Sequence, residues 1–165
     1  MANGTNSLML CAIVAGTFSL STFNIGLSIA AQSNGCLPLR VTIVDYKDTT
    51  PSRGDMYEYH IQGAEPYFAD GTRFTKIMAA VPGDRVEVDL NGITVFGVDG
   101  EMKRYNVDAR PMLNYSKISA DWFERTVEVP EGHFFAMGTL AGSFDSRFWG
   151  VVPLNRIEGK AYGVL

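Results

Sequence analysis

A mainly β domain behind an N-terminal apolar anchor is the architecture this sequence predicts, and three observations predict it. No charged residue occurs between Leu8 and Ala31. After that run the chain breaks into short stretches rich in Val, Ile, Thr and aromatic residues, punctuated by Gly, Pro, Asp and Asn. One of the breaks, Asn91-Gly92, separates the alternating runs Val86-Glu87-Val88-Asp89-Leu90 and Ile93-Thr94-Val95. That dipeptide is the strongest short-range hairpin signal, because a tight two-residue turn needs positive φ angles that Asn and Gly adopt readily.

Each element has its own reason. An apolar helix of about 20 residues, rising about 1.5 Å per residue, spans a hydrocarbon core, and Leu8 to Ala31 is long enough. A cleaved secretory signal would begin with basic residues and carry a shorter apolar stretch. Here the first Lys or Arg is Arg40. A buried core helix is the other alternative, since Ser19, Ser21, Thr22, Asn24 and Ser28 dilute the second half of the run. The reading adopted is a retained membrane anchor over residues 1–34 followed by a β domain over residues 35–165. Gly16, Ser19 and Gly26 would let another membrane helix approach closely.

Strands are expected at Leu39–Tyr46, Met56–Ile61, Phe74–Val81, Val86–Leu90, Ile93–Phe96, Arg125–Val129, His133–Met137 and Ala161–Leu165. Their close spacing favours a sandwich or barrel over alternating βαβ units. A single helical turn fits Asp121 to Arg125, and Met102 to Ser119 has no clear pattern.

Composition excludes several classes. The 165 residues are 46% hydrophobic and 19% charged, which is globular rather than disordered. A net charge of −4, with no basic cluster, argues against nucleic acid as a partner. His60 and His133 stand alone, without the spacing that converges metal ligands, so neither a metal nor a cofactor is expected. No Gly-x-x-x-x-Gly-Lys phosphate loop occurs, and Gly92, Gly97 and Gly100 fit turns. The two cysteines, Cys11 and Cys36, would be held too far apart by an intervening helix to bridge, which leaves Cys36 a free thiol.

The candidate chemistry lies in four strings in order along the chain: Cys36-Leu37-Pro38-Leu39, Ser52-Arg53-Gly54-Asp55-Met56, Lys76 six residues before Pro82-Gly83-Asp84, and Ser143-Phe144-Asp145-Ser146-Arg147-Phe148-Trp149-Gly150. Together they resemble the boxes of type I signal peptidases, with Cys36 where that family places a nucleophilic Ser. A second departure is Met137-Gly138-Thr139-Leu140, where the family commonly has Gly-Asp-Asn after the Met. The short soluble region and the Cys-Leu-Pro-Leu spacing resemble the TraF-like branch that serves conjugative transfer.

The resemblance implies an endopeptidase of the bacterial inner membrane, single-pass, with its catalytic domain on the periplasmic side. The positions of Arg40 and Lys47 after the span argue the opposite orientation by charge alone. Cys36 would be the nucleophile and Lys76 the general base or acid. Ser143 would hold Lys76 by a hydrogen bond, and Asp145 with Arg147 would support that loop as an ion pair. Asn34 would stand near the oxyanion, in place of a hydroxyl residue.

Taken singly, these residues admit plainer readings: Lys76 as an outward Lys of an edge strand, Asp145 and Arg147 as a surface pair, Asn34 as a turn residue beside Gly35, and Trp149 as a core anchor. A thiol gives up its proton more readily than a lysine ammonium. Lys76 would then serve chiefly to stabilise a thiolate and to protonate the leaving amine.

Partners implied by the resemblance are a precursor polypeptide, membrane lipid, and pilus or secretion components. Some members of the branch join the new ends into a circle. The alternative is an inactive pseudopeptidase acting as a binding or scaffold component of a membrane assembly. Pro66-Tyr67-Phe68 and Trp122-Phe123 are candidates either for contact with the bilayer or for the core.

Overall fold

The computed structural model describes residues 24–29 and 36–164. Among the described residues eleven strands form two antiparallel sheets. In chain order they are β1 (Ile25–Ile29), β2 (Val41–Asp45), β3 (Met56–His60), β4 (Arg73–Ala80), β5 (Arg85–Asp89), β6 (Gly92–Phe96), β7 (Met102–Asn106), β8 (Arg125–Glu128), β9 (His133–Met137), β10 (Val152–Pro153) and β11 (Ile157–Gly163). A seven-stranded sheet runs β1-β2-β11-β3-β4-β9-β10, and a four-stranded sheet runs β7-β6-β5-β8. Two short helices, α1 (Arg110–Ser116) and α2 (Ser146–Trp149), sit between strands.

A hairpin joins β5 to β6 at the expected place, but its two loop residues are Leu90 and Asn91, because Gly92 already pairs with Asp89 and Ile93 with Val88, one position earlier than a turn at Asn91-Gly92 would give. Gly92 has φ +145°, and a Cβ there would lie 1.9 Å from the Tyr105 carbonyl oxygen on β7. Only glycine lets the three strands close up at this point.

The alternation of β9 explains how two apolar clusters form. Phe135 and Met137 pack with Val86, Val88, Ile93 and Val95 of the smaller sheet. Phe134 and Ala136 point the other way, into a cluster with Tyr57, Tyr59, Met78 and Val152. With both faces covered, four of the five β9 residues are buried, which is why its sequence, His-Phe-Phe-Ala-Met, is apolar without alternation.

A further expectation is corrected here. The anchor helix was expected to run through Ala31, but Ile25–Ile29 forms β1, paired antiparallel with β2 from Ile25 opposite Asp45 to Ile29 opposite Val41. Asn24, at φ +53°, turns the chain immediately before it, and its carbonyl accepts from Tyr46 N at 2.9 Å. Edge pairing satisfies this segment's backbone outside a helix. The rest of the expected anchor lies outside the described residues, among which no helix is long and apolar enough to cross a membrane. Met102 to Ser119, where the sequence shows no clear pattern, holds β7 and α1. Strand β7 is polar because Met102, Lys103 and Asn106 are exposed. The helical turn placed at Asp121 to Arg125 is a 3-10 turn at Ala120–Phe123, with Phe123 in the core and Trp122 at the surface.

One polar contact ties the sheets together. Asp84, fully buried between β4 and β5, accepts from Arg53 Nε at 2.8 Å and Nη2 at 2.7 Å, from Val81 N at 2.9 Å and from Val98 N at 3.2 Å. Hydrogen bonds to Asp84 and Asp99 hold the Arg53 guanidinium above its ordinary pKa. The Arg-Gly-Asp and Pro-Gly-Asp strings are thus two halves of one anchor. Asp84→Ala leaves Arg53 Nε and Nη2 and two backbone donors without their acceptor. The unfolding free energy read from urea titration is expected to fall by about 3–5 kcal/mol, and a loss under about 1 kcal/mol would contradict this role.

Candidate active site

Lys76 is the fourth residue of β4, and it is 1% exposed. An ammonium so placed needs partners. Nζ donates to Ser143 Oγ at 2.9 Å and lies 5.3 Å from the centre of the Phe74 ring. Ser143 Oγ in turn donates to Asp145 Oδ2 at 2.7 Å.

Asp145 is the hub of this network. Oδ1 accepts from Arg147 Nε at 2.8 Å and from Arg147 N at 3.2 Å. Oδ2 accepts from Arg147 Nη2 at 3.0 Å, from Gly138 N at 3.1 Å and from Ser143. The same carboxylate caps α2. Arg147 is 0% exposed, so the pair is a buried fork and not a surface contact. Its Nη1 donates to the Val107 carbonyl at 2.5 Å, tying the network to the loop after β7. Burial by itself pushes the Asp145 carboxyl upward. The charges of Arg147 and Lys76 and the bonds from Arg147 and Gly138 outweigh it, and the group titrates below the usual carboxylate range.

Residue 36 is joined to this network through its backbone. The Cys36 carbonyl accepts from Thr139 N at 2.8 Å and from Leu140 N at 3.3 Å. A Cβ on Gly138 would lie 2.1 Å from Ser143 Oγ and 2.5 Å from the Cys36 carbonyl oxygen. Both distances are measured from one point, so those two oxygens are near neighbours, and the Lys76 amine lies one hydrogen bond beyond. Any side chain at 138 would push the segments apart. Since Thr139 and Leu140 hold Cys36 by their N–H groups, the absence of the family's usual Asp-Asn there leaves this contact intact.

The Cys36 thiol is free and half-buried. It lines a cleft of about 570 Å³ together with Leu37, Leu39, Phe68, Phe74 and Thr75. Asn34 lies outside the described residues. Trp149 stacks on Phe74 at 5.7 Å between ring centres, a packing position. Tyr67 and Phe68 pack against the core, and the Trp122 ring is capped by Arg125 while its Nε1 donates to the Arg147 carbonyl at 2.9 Å. His60 Nδ1 meets the Gly71 carbonyl at 2.7 Å and its Nε2 meets Glu158 at 2.5 Å. Among the described residues no group of three His, Cys, Asp or Glu is placed to hold a metal ion.

Two residues of the site region escaped the sequence reading. Tyr59 is fully buried and its hydroxyl has no hydrogen-bond partner; burial first, then the nearby Asp145 and Cys36, push its phenol well above the ordinary value. Glu58, buried on β3, also lines the cleft. The available signal was a carboxylate between two tyrosines in a strand otherwise suited to burial.

Because Asp145 binds its proton less readily folded than unfolded, its contribution to stability is intact above the ordinary value of about 3.9. It is lost as pH falls from there through the lower folded value. Asp145→Asn leaves Arg147 buried without its counter-charge and is expected to cost about 3–5 kcal/mol at neutral pH. The gap between wild type and variant in urea unfolding should narrow below about pH 4; a gap that stays constant down to pH 2 would contradict the assignment.

The model of the family described as "Signal peptidase, peptidase S26" matches residues 4–165. Signal peptidase I of Aquifex aeolicus (strain VF5) is 40% identical, over 66% of this chain and 51% of that protein. A probable signal peptidase I-2 of Synechocystis sp. is 26% identical, over 72% of this chain and 50% of that one. A solved signal peptidase I from Enterococcus faecalis V583 has 27% identity and a TM-score of 0.43, covering 67% of this chain and 96% of that one. The chain spans about half the length of the curated relatives it matches. With the family model spanning nearly every residue, the chain belongs to the signal peptidase family, peptidase S26.

Proposed function

We propose that this chain is a membrane-anchored endopeptidase that cuts a secreted precursor through an acyl-enzyme, with Cys36 as nucleophile and Lys76 as the proton-carrying partner. The observation that supports it best is the buried Lys76 amine, aimed by Ser143 toward the segment that carries Cys36.

In this reading the Cys36 thiolate attacks the scissile carbonyl carbon, and the resulting oxyanion takes the Cys36 N–H and the Asn34 side-chain amide as donors. Lys76 protonates the departing amine as the C–N bond breaks, which leaves a thioester. Lys76, now neutral, takes a proton from water; the hydroxide oxygen adds to the thioester carbon, and the C–S bond breaks to release the new carboxyl end. Attack by an amine in place of water would instead close a circle. Ser143, Asp145 and Arg147 position the lysine and do not touch substrate. The substrate lies extended along the cleft beside an exposed strand.

The family resemblance extends this to the TraF-like branch: a pilin-like or other precursor of conjugative transfer, cut on the periplasmic face of the bacterial inner membrane by the β domain, held by a single-pass anchor ahead of β1. Pilus or secretion components and membrane lipid are the partners of that setting. A second reading, a binding component without turnover, is favoured by the cysteine in place of the family's serine.

Processing of a co-expressed precursor separates the two. Lys76→Ala and Cys36→Ala are each expected to lower cleavage by at least 1000-fold, in line with loss of a nucleophile or its partner. Cys36→Ser is expected to retain cleavage, since the scaffold holds residue 36 by its backbone. Full maturation in Cys36→Ala would overturn the enzyme reading in favour of the binding component.

A further inference from the structure

We propose that Glu58 sets the specificity of the cleft, selecting a precursor that carries a nitrogen-donor side chain, Lys or Arg ahead of Gln, close to the scissile bond. This rests on the peptidase reading above for the word "scissile", but not for the binding preference.

Among the described residues that line the cleft, Glu58 is the only carboxylate. It sits on β3 opposite Thr75 of β4 and Gly159 of β11. The residue is 1% exposed. Its Oε1 has two long contacts, Tyr46 OH at 3.5 Å and Arg73 Nη1 at 3.6 Å. Arg73 is 57% exposed and is shared with Glu158, also at 3.6 Å. Oε2 has no hydrogen-bond partner.

A carboxylate oxygen withdrawn from water without a donor is unfavourable, and the neighbours that approach Glu58 address only the other oxygen. The cleft supplies the route for a donor. An extended peptide in it places alternate side chains toward its floor. A side chain ending in N–H would satisfy Oε2, and a cationic one would also meet the carboxylate's charge. A purely apolar side chain would seal the oxygen in unpaired. Sites built to bond a donor discriminate against analogues that lack it for this reason. The apolar neighbours Leu37, Phe68 and Phe74 would pack the stem of a Lys or Arg while its head reaches Glu58.

The test uses the full chain and fluorescent host peptides of alanine and glycine in which Lys, Gln, Leu or Glu is placed at each position in turn. Binding is read by anisotropy and cleavage by mass spectrometry on the same samples. At one position the Lys peptide is expected to bind about 10- to 100-fold more tightly than the Leu peptide, the range for a hydrogen bond to a charged group. Glu58→Val should reverse that order, and Glu58→Gln, which keeps the shape, should reduce the Lys preference if the Val variant does not fold. Equal ranking in wild type and folded variants, or no binding of any Lys peptide, overturns the proposal. Cleavage without side-chain preference would sink this inference and leave the peptidase reading standing; a Lys preference in binding without any cleavage would do the reverse.

Discussion

The burial of the Asp145 carboxylate is the constraint from which the site follows. A carboxylate can be fully withdrawn from water only if charge and donors meet it on every side. Here Arg147 supplies the charge from the same short helix, Gly138 a backbone N–H, and Ser143 a hydroxyl. Once those bonds are made, the loop from Gly138 to Ser143 has little freedom, and the serine oxygen, its proton committed to Asp145, can only accept. Lys76 donates to it. The position of the amine is therefore decided by an ion pair that never touches the cleft.

The same device appears at the junction of the two sheets, where Asp84 is met by Arg53 and by two backbone donors. Both are Arg-Asp forks, a geometry that a lysine could not reproduce. One fixes the turn that leads from the lysine's strand into the second sheet, and the other fixes the loop that grips both the lysine and the backbone of residue 36. Strand β4 is held between them, so the direction of the Lys76 side chain is set at both ends. Glu58, one strand away, is a carboxylate for which no such set of donors was built.

Much of this was legible in the sequence because the signals were local. Phe134–Met137, an unbroken apolar run, and the Asn91-Gly92 pair that marks the β5–β6 hairpin are written in neighbouring residues. The spacing of Lys76 before Pro82-Gly83-Asp84 and the Ser143 to Gly150 string pointed to residues that the fold brings into one network. What was hidden depended on partners far along the chain. Ile25–Ile29 reads as the tail of an apolar helix until β2 is there to pair with it. Strand β7 carries exposed Lys and Asn and so lacks an apolar alternation. Arg147 has the composition of a surface residue, and only its bonds to Asp145 and the Val107 carbonyl make its burial tolerable. The orphaned Glu58 oxygen has no sequence signature beyond its two tyrosine neighbours.

A double-mutant cycle between Ser143→Ala and Asp145→Asn, read by urea unfolding at neutral pH, tests most directly whether the ion pair acts on the lysine through the serine. If the three groups form one buried chain, the two losses should fall short of additivity by about 1 kcal/mol or more, because the second change removes a bond the first has already broken. Losses that add within about 0.3 kcal/mol would show that Ser143 and Asp145 stabilise the fold independently, and the account of how Lys76 is positioned would fail.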